Sequence, residues 1–119
     1  MLPLIGSEKE ITFVKNNVVE AIEAAKAAKN SNIVYKIGTM IEIPRAALTA
    51  DMIAKHAEFF SFGTNDLTQM TYGFSRDDIG SFLPSYKSTK VMEADPFVTI
   101  DQDGVGQLIE MAAVKGRAT

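Results

Sequence analysis

At 119 residues and 46% hydrophobic content, the chain suits one packed globular unit, read as a single domain piece over 1–119. A net charge of -3 offers no broad basic surface, so no nucleic-acid partner is expected, and no apolar run approaches the roughly 20 residues that span a bilayer. With no cysteine there are no disulfides, thiolate metal sites or cysteine nucleophiles, which fits a reducing, cytoplasmic compartment; "MLPLIGSEKE" carries no basic leader, so no secretory signal is expected.

The opening "LPLIG" reads as the tail of a buried strand. "SEKE" then supplies Ser7 as N-cap and Glu10 three residues later, a capping-box pattern. Ile11, Val14, Val18, Ala21, Ile22 and Ala25 follow at helical spacing, which predicts an amphipathic helix over roughly 8–29. "NSN" at 30–32 stops it. "IVYKIGTMIEI", 33–43, is rich in β-branched and apolar residues, as a strand covered on both faces would be. Pro44 can open a helix, and "RAALTADMIAKHAE" has the propensity to continue it, with Ala47, Met52, Ile53 and Ala57 as its inner side. "FFSFG", 59–63, reads as the next strand, with a helix opening after Asp66. Residues 73–100 mix turn formers with Phe and Tyr and read as an ordered excursion with short helical pieces. "DGVGQLIEMAAVKG" returns to helical spacing.

Strands alternating with helices through short connections predict βαβ units, hence an α/β fold with a parallel sheet whose strand C-termini share one rim. About three strands are legible, too few to close an eight-stranded barrel of about 250 residues. The expectation is an arc of a larger sheet.

Glu42 lies inside "TMIEIP", among apolar neighbours. Burying a carboxylate costs several kcal/mol unless a cation, a metal or a set of donors faces it. The bland alternative is an Arg or Lys from another strand; the functional one is contact with a metal or substrate. Asp66, in "GTNDLTQ", has a bland reading too, as a helix cap completed by Gln69. The pair favours function. Glu42 ends one strand and Asp66 follows the next, with one helix between, so both carboxylates should reach the same rim. Two such oxygens with open positions suit Mg²⁺ or Mn²⁺. Gly63, Thr64 and Asn65 add a close-approach backbone and polar side chains, although ordinary turn chemistry also accounts for them. His56 is expected at the surface, "SRDD" (75–78) as a solvated turn or local ion-pair cluster, and "DQDG" (101–104) as a helix cap. "GVG" (104–106) is too short for a nucleotide fingerprint.

"IGTMIEIPRAALTADMIAKHAEFFSFGTNDLTQMTYGFSRDD" closely resembles the phosphoenolpyruvate/pyruvate-binding barrel of the pyruvate phosphate dikinase family. "EIP" and "GTND" are shared with phosphoenolpyruvate synthase and with the phosphotransferase-system enzyme that phosphorylates itself from phosphoenolpyruvate. "IPRAALTAD" and "TYGFSRDDIGSFLPSY" resemble the dikinase specifically. The resemblance implies a partial (β/α)₈ TIM barrel, contributing roughly the fourth to sixth strands. It implies the reversible conversion of ATP, phosphate and pyruvate to AMP, diphosphate and phosphoenolpyruvate by way of a phosphohistidine.

On this resemblance, Glu42 and Asp66 are the catalytic Mg²⁺ ligands, Gly63, Thr64 and Asn65 the substrate-binding turn, and Met40 part of the pocket wall. The implied partners are phosphoenolpyruvate or pyruvate, and the phosphohistidine and ATP-grasp domains of a longer, homodimeric parent. That parent is cytoplasmic or organellar. The family's paired substrate arginines and its proton-donating cysteine have no counterpart here, so the segment alone is expected to be inactive. A phosphoenolpyruvate synthase segment, a metal-dependent lyase or aldolase barrel, and a catalytically silent barrel-completing piece are the alternatives.

Overall fold

The computed structural model describes all residues, 1–119, as a mixed α/β fold around a small parallel sheet. Helix α1 spans Glu8–Lys29. Its start is the capping box: Ser7 Oγ accepts the Glu10 N–H at 3.2 Å, while Glu10 Oε1 reaches back to the Gly6 N–H at 3.3 Å. Acidic Glu8 and Glu10 in the first turn and basic Lys26 and Lys29 in the last complement the helix dipole. Asn30 ends the helix in the left-handed conformation, with φ of 50°. The inner stripe is Ile11, Val14, Val18, Val19 and Ile22. Ala21 and Ala25 were expected on it but lie on the exposed side.

The predicted strand 33–43 contracts to β1, Thr39–Ile41. Ile33 and Val34 are exposed, so β-propensity there finds no partner and no burial. Side chains hold this stretch instead: Tyr35 donates to Glu23 Oε1 at 2.7 Å, and the Ile37 N–H donates to Glu58 Oε2 at 2.6 Å. The Glu23 hydrogen bond, then burial, push the Tyr35 hydroxyl above its ordinary range.

Strand β2 is Phe60–Phe62, paired parallel with β1 in the register Thr39↔Phe60, Met40↔Ser61 and Ile41↔Phe62. On the other side of β1, Leu2 makes one parallel bridge to Thr39. The three expected parallel strands are therefore two strands and a bridge. Gly38 makes the pairing possible, because a Cβ there would lie 2.5 Å from the Phe59 carbonyl oxygen.

Between β1 and β2 the single expected helix is two: α2, Pro44–Leu48, and α3, Ala50–Ala54. Thr49 breaks it by donating its hydroxyl to the Arg45 carbonyl at 2.8 Å, a bond that bends helices. Pro44 sits at the start, where a missing N–H costs nothing. Ala47 and Ile53 face the core as expected; Met52 is exposed, since the break rotates it outward. Helix α4 runs Thr64–Tyr72, a short 3₁₀ turn covers Ile79–Ser81, α5 runs Leu83–Ser88, and α6 runs Val105–Arg117.

Helix α6 packs on α2 and α3 through fully buried Ala46, Ala47, Ala50 and Ala112, small residues that let helices approach closely. Asp101 caps α6, with Oδ1 accepting the Gly104 N–H and Oδ2 the Val105 N–H, so "DQDG" is a cap. The 73–100 excursion builds its own small core: Phe74 packs its ring 5.0 Å from Tyr72, 5.1 Å from Phe82 and 6.2 Å from Phe97.

β2 has no partner on its outer edge, and a two-stranded sheet has little independent stability. Phe13, Val34 and Val98 also stand exposed, at 69%, 92% and 82%. The 119-residue chain is accordingly expected to self-associate and to melt broadly. Sedimentation and calorimetry at micromolar concentration check this; a monomer with a sharp cooperative transition would contradict it.

Candidate active-site rim

The C-terminal ends of β1 and β2 lie side by side, and the ladder continues one step beyond them through the Gly63 N–H to the Ile41 carbonyl, at 3.1 Å. That step sets Glu42, the residue after β1, against Gly63, the residue after β2. A Cβ at Gly63 would lie 2.5 Å from Glu42 Oε2, 2.7 Å from Glu42 Cβ and 3.0 Å from Met40 Cε. Gly63 has φ of -87°, so what selects glycine is the side chain lying over it, not its backbone angle. Met40, Glu42 and Gly63 thus form one contact cluster at the rim.

Glu42 is 4% exposed. Its Oε1 accepts the Leu4 backbone N–H at 2.6 Å. Leu4 holds φ of 54°, a left-handed conformation that costs a leucine about 1–2 kcal/mol. The chain's ion pairs, Lys26 with Glu23 and His56 with Glu8, do not involve Glu42. Nearby Arg45 donates instead to the Gly6 carbonyl, at 2.5 Å. The cation from a neighbouring strand that would make Glu42 merely structural is therefore absent from this chain. One hydrogen bond faces Oε1, while Oε2 has no protein partner and is not sealed from solvent, so that oxygen is open to a ligand.

Asp66 is the third residue of α4, not its cap. The N-cap is Gly63, which has no side chain to offer, and the helix begins at Thr64 rather than after Asp66. Half-buried Asp66 accepts a hydrogen bond from Gln69 Nε2 on Oδ1, at 3.2 Å. The capping account of Asp66 is thereby overturned. Its place in the first turn of α4 still favours a negative charge.

Thr64 and Asn65, also in that turn, are exposed and line a cavity of about 200 Å³ together with Arg76, Phe97 and Val98. The excursion thus folds back beside Thr64 and Asn65, and this cavity does not include Met40, Glu42, Gly63 or Asp66. "SRDD" is the expected solvated turn, with residues 76–78 exposed, and Arg76 in it also borders this cavity, which the sequence reading did not anticipate. The available signal was Gly73, whose φ of 77° ends α4 and turns the chain back.

No group of three or more His, Cys, Asp or Glu side chains gathers in the chain. A metal held by this chain would therefore have no more than two such side chains together. That donor set suits Mg²⁺, which takes one or two carboxylates and completes its octahedron with water and phosphate oxygens. His56 lies away from the rim, half-buried, with Nε2 2.8 Å from Glu8 Oε1. Tyr72 borders a larger cavity of about 600 Å³ beside α6; burial, then Asp101 and Asp103, push its hydroxyl above the ordinary range. No helix of the chain is long and apolar enough to cross a membrane.

Comparison with known proteins agrees with the motifs. The chain is 66% identical, over all of its 119 residues, to the pyruvate, phosphate dikinase of Clostridium symbiosum, covering 14% of that protein. It is 57% identical over 118 residues to the chloroplastic pyruvate, phosphate dikinase 1 of Arabidopsis thaliana, of which it covers 12%. It is 51% identical over 119 residues to the enzyme of Rickettsia felis, covering 14%. The chain therefore spans 12–14% of the length of these curated relatives, and the resemblance read from "EIPRAALTAD" and "GTNDLTQMTYGFSRDD" is borne out. Residues 1–119 match the family described as PEP-utilising enzyme, PEP-binding domain, and the chain belongs to that family.

Proposed function

We propose that this segment supplies the metal-binding half, and part of the substrate-binding half, of the phosphoenolpyruvate/pyruvate site of a pyruvate phosphate dikinase. The whole enzyme would interconvert ATP, phosphate and pyruvate with AMP, diphosphate and phosphoenolpyruvate. The observation that carries the reading is Glu42: a buried carboxylate at a strand C-terminus, facing no cation of its own chain and lying against a glycine that leaves it room.

Glu42 and Asp66 would hold Mg²⁺, with Mn²⁺ as a substitute of similar ligand preference. The ion supplies stabilisation of charge developing on enolate and phosphoryl oxygens. Gly63 belongs to the substrate-binding turn and leaves room there for the Glu42 side chain, Thr64 and Asn65 offer hydrogen bonds, and Met40 walls the pocket. Arg76, which lines one cavity with Thr64 and Asn65, would present a permanent cation to an anionic substrate there. The two strands and the Leu2 bridge would be an arc of a (β/α)₈ barrel, around its fourth to sixth strands. Phosphohistidine and ATP-grasp domains of the longer chain would complete a homodimeric enzyme, in the cytoplasm or an organelle.

A full-length host makes this testable. The segment can replace its counterpart in the Clostridium symbiosum enzyme, to which it is 66% identical. In that chimaera, Thr64→Val is expected to raise the phosphoenolpyruvate KM about tenfold, the worth of one good hydrogen bond. The Mg²⁺ half-saturation should change less than about twofold, because Thr64 contacts substrate and not the ion. Equal shifts in both constants would refute that division of roles.

A further inference from the structure

Gln69 lies one turn after Asp66 on α4, and its amide is held at both ends. Its Oε1 accepts the Arg76 backbone N–H at 2.7 Å, and its Nε2 donates to Asp66 Oδ1 at 3.2 Å. A backbone N–H can only donate, so the amide oxygen must face Arg76 and the nitrogen must face Asp66. The orientation is therefore fixed by chemistry as well as by distance. The partners sit on opposite sides of the chain reversal at Gly73, whose own N–H donates to the Gln69 carbonyl at 2.8 Å. Gln69 thus holds the reversal through its backbone, and links Asp66 to the Arg76 backbone through its side chain. A capping role does not explain this, because Asp66 is not the cap.

We propose that Gln69 is a positioning residue, resting on the assignment of Asp66 as a metal ligand: it fixes the Asp66 carboxylate and tethers the Arg76 turn to it. One amide then sets the spacing between the Asp66 carboxylate and the backbone turn that carries Arg76. Outer groups that orient a metal ligand characteristically tune affinity without touching the ion.

The test uses the full-length chimaera. Gln69→Leu removes both bonds, and is expected to raise the Mg²⁺ half-saturation and the phosphoenolpyruvate KM about tenfold each. Gln69→Glu keeps an acceptor for the Arg76 N–H but loses the donor to Asp66, setting two carboxylates against each other. It should raise the Mg²⁺ half-saturation by a similar factor while leaving the phosphoenolpyruvate KM within about threefold of the unsubstituted chimaera. If Gln69→Leu does not fold, Gln69→Glu decides alone.

A lower melting temperature with an unchanged Mg²⁺ constant overturns the proposal, since it marks a purely structural contact. If the Mg²⁺ constant is unchanged while Asp66→Asn is inactive in the same host, the role of Gln69 falls and that of Asp66 stands. A fully active Asp66→Asn chimaera overturns both.

Discussion

Gly63→Ala in the full-length chimaera is expected to cut kcat/KM by about a hundredfold or more, through a single added methyl group. The methyl would lie 2.5 Å from Glu42 Oε2 and 2.7 Å from Glu42 Cβ, closer than real carbon contacts allow. Something must move. β1 cannot, because its register is fixed by β2 on one side and Leu2 on the other. Rotating the Glu42 side chain moves Oε2 but not Cβ, so the backbone just past the strand ends must shift with it, and that movement strains the 2.6 Å bond from Leu4 as well. A displacement near 1 Å at a reacting centre is enough for a hundredfold loss. Overpacking of this kind costs about 1–3 kcal/mol of stability, so the variant should still fold. Kinetics, Mg²⁺ titration and a melting curve on one preparation separate the effects. Activity within twofold of the unsubstituted chimaera would mean that Glu42 relaxes freely and is not held in a working position.

That contact was invisible in the sequence, where Gly63 suggested only that a ligand might come close. The glycine accommodates Glu42 first. Local chemistry was legible wherever it was self-contained: the Ser7–Glu10 box, the Asn30 stop and the apolar stripe of α1 each depend on residues within a few positions. Strand length was not, because it depends on partners. Residues 33–38 have strand-forming side chains, yet only 39–41 find a partner strand, and of these Thr39 alone bridges to Leu2 on the other side. The break at Thr49 was hidden for a different reason, since helix propensity is summed over a window and one hydroxyl bond to a carbonyl overrides it. Asp66 was misjudged by three residues. "GTND" offers several capping side chains, but the chain uses the glycine and starts the helix at once. Gln69 and Arg76 were out of reach because their link spans the turn at Gly73, and pattern within α4 does not report on what lies beyond it.

Asp66→Asn is expected to lower turnover of the full-length chimaera by orders of magnitude while leaving its melting temperature nearly unchanged. The two halves of that expectation rest on different observations. Asp66 is the third helical residue and caps nothing, so the fold loses only a charge near a helix N-terminus, about 0.3–1 kcal/mol. Asparagine also keeps an oxygen for the Gln69 donor. What disappears is one negative charge at the rim, and a site with two carboxylates has no third to replace it. Glu42→Gln should behave alike although it lies on another strand, because both carboxylates would act on one ion. Its amide oxygen can still accept the Leu4 N–H, so the strand end should hold. Each variant is expected to raise the Mg²⁺ requirement, and the double variant should lose little beyond the worse single one, as residues serving one ion do. Turnover, Mg²⁺ half-saturation and melting temperature measured side by side decide it. Two active variants with normal Mg²⁺ dependence would leave Glu42 as an unusually placed structural carboxylate, and Asp66 as a dipole partner for α4.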